Sequence, residues 1–156
     1  MIKIKPSVPY ANATTGKNAR AEIEKILTAF GCEQIGFMDD FRDHSVLLAF
    51  AHRGRRVQLR ASARGWAALY LKQNPWKWRR RSTQQQWEAN ALAQGLIAVN
   101  SILRDYVKGQ ITAIETGMLS FEAVFAAHML LPSGKTLLEQ IATIPPAIED
   151  RQAAAP

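Results

Sequence analysis

The chain has a single cysteine in 156 residues, Cys32. One thiol cannot build an intramolecular disulfide framework. Nor can it found a zinc site, which draws on several thiolates when it rests on cysteine. Scarce cysteine points to a reducing, cytoplasmic setting, and Cys32, directly after Gly31, reads as a small buried hydrophobe. Long apolar runs are missing too. Nothing approaches the ~18 residues of a membrane span. The opening MIKIKPSVP alternates apolar and charged residues and lacks the apolar stretch of a signal peptide. The expectation is a cytoplasmic protein with no membrane segment. Gly-rich dinucleotide loops and the nucleophile elbow are absent. PSGKT at Pro132–Thr136 looks like the end of a P-loop, but Met129 stands where the full motif needs glycine, and no strand precedes it. The three histidines, His44, His52 and His128, lie far apart in the sequence. No catalytic residue and no cofactor is expected.

Acidic residues are missing from one long stretch. Between His44 and Trp87 there are ten Lys or Arg and no Asp or Glu, although the chain as a whole carries 20 basic and 13 acidic side chains. The remainder is therefore mildly acidic, and the net charge of +7 comes from this one segment. Such asymmetry points to an anionic partner, most often nucleic acid.

What is present suffices for a core, since 47% of the residues are hydrophobic. Residues 1–16 read as an extended lead with a short strand at Ile2–Lys5. Ile23, Ile26, Leu27 and Phe30 recur at i, i+3, i+4 and i+7 and predict a helix over Lys17–Phe30 that Gly31 stops. EQIGFM, SVLLAFA and RRVQLRA alternate as strands, and HRGRR between the last two reads as a tight hairpin turn. Ser62 caps a second helix that ends before Asn74-Pro75. The 17–74 stretch is then an αβββα unit, with the first helix on a three-stranded antiparallel meander. After a Trp/Arg-rich joint at Pro75, Ser82 or Thr83 caps a long helix with Gln85 or Gln86 in a capping box. Gly95 and Gly109 weaken this helix, which ends near Gly109 or Thr116. Short helices follow in SFEAVFAAHML and KTLLEQIA, with a turn at Pro132-Ser133-Gly134. The fold class is α+β, with residues 75–142 forming a mostly helical second half packed on the first unit, and 143–156 a flexible tail. Leu92, Leu96, Val99, Leu103 and Tyr106 repeat close to a heptad, so a homodimer through the 82–109 helix is allowed.

PWKWRRRSTQQQW, residues 75–87, holds three tryptophans and three consecutive arginines. Bases stack on indoles while guanidinium groups hold phosphates. Trp66 and, in a structural reading, Trp76 and Trp87 anchor the packing, with the last two tying the helical part to the sheet. Trp78, between Lys77 and Arg79, leans outward. The expected nucleic-acid-binding set is Arg53, Arg55, Arg56, Arg60, Arg64, Lys77, Trp78, Arg79, Arg80 and Arg81, able to form one continuous basic face. Phosphate contacts need charge and reach, so binding through them has low sequence specificity. DDFRDH offers Asp39, Asp40, Asp43 and His44, a set that suits Mg²⁺ or Mn²⁺ and would make a metal-dependent nuclease a third reading. An acidic loop is more often a solvated turn, and no metal is expected. The αβββα order is shared with restriction-endonuclease-like cores and double-stranded RNA-binding domains. The third strand, VQLRA, lacks the carboxylates of the first, and SARGWAALY lacks the lysine-rich helix start of the second.

RGWAALYLKQNPW, AIETGMLSFEAVFAAHMLLPSGKT and the Pro/Ala-rich end resemble small uncharacterised proteins of tailed phages and prophages of proteobacteria, over residues 17–142. The resemblance implies a phage setting, with roles in DNA replication, recombination or evasion of host defence, and it carries no catalytic residues. The leading expectation is a non-enzymatic nucleic-acid-binding accessory protein, with DNA favoured over RNA. The second is a module that binds and modulates a host or phage protein.

Overall fold

A computed structural model describes residues 8–145. The strand expected at Ile2–Lys5 and most of the expected tail lie outside the described residues. The element order is α1 (Lys17–Phe30), β1 (Glu33–Asp40), β2 (Ser45–His52), β3 (Arg55–Ser62), α2 (Arg64–Gln73), α3 (Gln84–Glu115), α4 (Phe121–Phe125), a one-turn 3-10 helix (Ala126–His128) and α5 (Leu137–Ile141). This is the expected α+β arrangement, a helix and an antiparallel β1-β2-β3 meander followed by a helical half.

Local chemistry sets the boundaries. Gly31, at φ 99°, ends α1 in a Schellman motif: its N–H donates to Thr28 and that of Cys32 to Leu27. Arg53 and Gly54 both have positive φ between the paired His52 and Arg55, giving a two-residue type I′ hairpin whose twist matches the strands. The first strand runs further than expected. Asp39 and Asp40 pair with Val46 and Ser45, so the connection shrinks to Phe41–His44. Asp40 Oδ1 closes that turn by accepting from the Arg42 and Asp43 amides at 3.0 and 2.9 Å. Ala63, rather than Ser62, is the N-cap residue of α2, while Ser62 Oγ accepts from the Arg64 amide. Thr83 and Gln86 form the capping box that starts α3. The long helix takes the later of its two expected ends and passes Gly109, where no neighbour crowds the backbone.

Alternation along β2 and β3 turns Leu48, Phe50, Val57 and Leu59 to one side of the sheet. They meet Ile23 and Leu27 of α1, Leu103, Val107 and Ile111 of α3, and Phe121 and Phe125. Cys32 lies in this core and burial pushes its thiol up to about 11. Gly95 is no weak point in α3. A Cβ there would lie 3.0 Å from the Ala63 carbonyl oxygen and 3.3 Å from the Trp66 ring, so its absence is what lets α2 and α3 cross closely. Val99 and Leu103 of the heptad-like seam are buried inside this protomer, while Leu92 and Leu96 remain half-exposed and Tyr106 is exposed.

Candidate nucleic-acid interface

The joint between α2 and α3 is a closed loop, and tryptophan indoles close it. Trp87 Nε1 donates to the Asn74 carbonyl at 2.9 Å, and Trp76 Nε1 to the Ser82 carbonyl at 2.7 Å. Both rings are half-buried, so they clamp the base of the loop rather than anchor the helices to the sheet. Trp66 is buried, stacks on Tyr70 and donates to the Pro9 carbonyl. Above the clamp, the Arg80 amide donates to the Lys77 carbonyl and bends the chain through Trp78-Arg79. Trp78 is thereby turned outward, 76% exposed. Arg80 lies over the Trp87 ring at 4.0 Å and Arg79 beside Trp78 at 5.1 Å. Arginine on an exposed indole is worth ~0.5–1 kcal/mol, enough to bias its direction without neutralising its charge.

Lys77, Arg79, Arg80 and Arg81 are exposed, and none has a carboxylate partner among the described residues. The other expected residues stand elsewhere. Arg64 opens α2 and lies 3.9 Å from Asp43, while Arg60 lies 3.9 Å from Asp40 and donates to the buried Ser45 hydroxyl. Arg53, Arg55 and Arg56 sit at the β2–β3 hairpin, where Arg55 faces Glu122 at 3.8 Å. The loop begins α3, whereas Arg64 lies level with Gly95, eleven residues or about 16 Å along it. β3 then carries Arg60 and Arg55 about 17 Å apart. The basic residues thus form three stations, and only the loop station joins several unpaired cations to an exposed aromatic.

The acidic set is divided in a comparable way. Asp39 pairs with Arg20, Asp40 caps its own turn, and Asp43 faces Arg64. No cluster of three or more metal-ligating side chains exists among the described residues. His52 is buried between Phe30 and Phe121. The pKa of the half-buried His128 is lowered by desolvation.

One feature went unread in the sequence. Phe41 stands 73% exposed at the tip of the β1–β2 turn, on the rim of a groove of about 810 Å³ beside α3. A lone aromatic amid DDFRDH was its signal. No helix among the described residues is long and apolar enough to cross a membrane. No known protein family, curated protein or solved structure matches the chain.

Proposed function

We propose that the protein is a non-enzymatic nucleic-acid-binding accessory factor of low sequence specificity, with the α2–α3 loop as its primary contact. The observation that carries this reading is the outward Trp78 among four unpaired cations, held on a loop that two other tryptophans clamp. An indole face accepts any base, and guanidinium groups accept any phosphate, so the site favours unpaired strands without reading sequence. Arg53 and Arg56 at the hairpin supply weaker, longer-range attraction, and Arg55, Arg60 and Arg64 contribute least because each faces a carboxylate. The resemblance to small tailed-phage proteins supports a phage-encoded role in the handling of DNA, ahead of RNA.

Fluorescence anisotropy with labelled single-stranded DNA, duplex DNA and RNA tests the proposal. Wild type is expected to bind single strands most tightly. Arg79→Glu/Arg80→Glu/Arg81→Glu is expected to lose at least about tenfold in affinity with its circular dichroism unchanged. Equal binding by the two proteins would leave the loop a structural joint.

A further inference from the structure

Beneath Phe41 lies a groove of about 810 Å³. Its floor is α3 itself. Ala89, Leu92, Ala93 and Leu96 follow at i, i+3, i+4 and i+7, forming one open stripe along the helix. Ala89 and Ala93 are exposed and Leu92 and Leu96 half-buried, Leu96 resting also on Val46, Ala63 and Val99, so a partly open apolar face lies on the flank of α3 next to its packing against α2. The walls carry both signs of charge. Lys17 stands at one end, directly after Gly16, which lies against Asn100, and Glu88 at the other. A polyanion would want a wall of uniform positive charge. A second copy of this face wants the mixture seen here.

We propose that this groove seats a second copy of the chain, with the two α3 helices antiparallel across a two-fold axis between Leu92 and Ala93. The register follows from the stripe. Leu92 then meets the second copy's Ala93, and Ala89 meets its Leu96, so large side chains fall opposite small ones at both steps. Glu88 falls opposite the second copy's Ile97, one turn from Asn100 and therefore beside the second copy's Lys17. The interface is isologous, so each of these contacts occurs twice. Phe41, on the rim of each groove, closes over the other copy's helix. This surface differs from a heptad seam through Val99 and Leu103, which the protomer's own core already buries. The two Gln84 positions, where the basic loops join α3, would stand about 26 Å apart. The inference rests on the shape and charge of the groove and not on the nucleic-acid reading.

Sedimentation over a concentration series tests it without any nucleic acid. Wild type is expected to show a monomer–dimer equilibrium. Ala93→Arg, at an exposed position that should leave the fold intact, is expected to weaken the dimer about a hundredfold or more by setting a charge into the apolar stripe. Lys17→Glu and Glu88→Lys are each expected to weaken it several-fold, and the double exchange to restore it. A short bis-maleimide is expected to join Ala93→Cys into a covalent dimer but not Ser133→Cys, with buried Cys32 silent in both. A wild type that stays monomeric throughout, or a dimer indifferent to Ala93→Arg, would overturn the proposal.

Discussion

Four tryptophans spelled alike have three different duties here, and two of the duties make opposite predictions. Trp78→Ala removes an exposed ring, so thermal stability should be unchanged while affinity for single strands falls by ~1–3 kcal/mol, the worth of one base–aromatic stack. Trp66→Ala removes a buried one and should cost ~3–5 kcal/mol of stability. Those two were legible in sequence, since Trp66 lies in an apolar helix pattern and Trp78 lies between cations. Trp76 and Trp87 were not, because their partners are backbone carbonyls whose positions depend on how the loop closes. Two titrating side chains, one in the core and one half-buried, report on folding. Cys32, with its thiol pushed up to about 11, should resist thiol reagents until the protein unfolds. His128 has a lowered pKa in the fold, so the unfolded chain binds the proton more readily. Its contribution to stability is therefore present above the ordinary histidine range near 6.5 and lost as pH falls below it, and His128→Gln should flatten that part of a stability–pH profile measured by chemical denaturation.

At the scale of elements, caps and turns were the most readable features and close approaches the least. Gly31, Gly54, Thr83 and Ser120 punctuate the chain through local rules that need no knowledge of distant residues. Gly95 looked like a defect because helix propensity is local, while its reason is the Ala63 carbonyl on another helix. Gly95→Ala should raise propensity yet destabilise the protein by ~1–3 kcal/mol, read by urea denaturation, as overpacking outweighs the gain. The β1–β2 connection was read too long for a related reason. Aspartates are poor strand formers, yet Arg20 and the turn amides hold Asp39 and Asp40 in place. At the hairpin, Arg53→Asn suits the type I′ turn better than arginine and removes one charge. Stability should hold or rise, and affinity for nucleic acid should change little, because the hairpin is the secondary station.

At the scale of the molecule, charge segregation along the sequence was plain, but its meaning in space was not. Ten basic residues in one acid-free stretch suggested a continuous surface. The fold instead carries acidic β1 and its turn up to Arg60 and Arg64, brings Glu122 of α4 to Arg55, and leaves the α2–α3 loop as the station that joins four unpaired cations to an exposed tryptophan among the described residues. Pairings of this kind join residues far apart in sequence, and no pattern within the basic stretch could announce them. If the α2–α3 loop neutralises phosphates, salt should weaken binding steeply. Lys77 and Arg79–Arg81 should give a slope of log K against log salt of about −3 for single strands, and Arg79→Gln/Arg80→Gln/Arg81→Gln should lower its magnitude by about 2, without moving the melting temperature. A slope that is the same in both proteins would place the phosphates elsewhere on the protein and rule out the loop as their site.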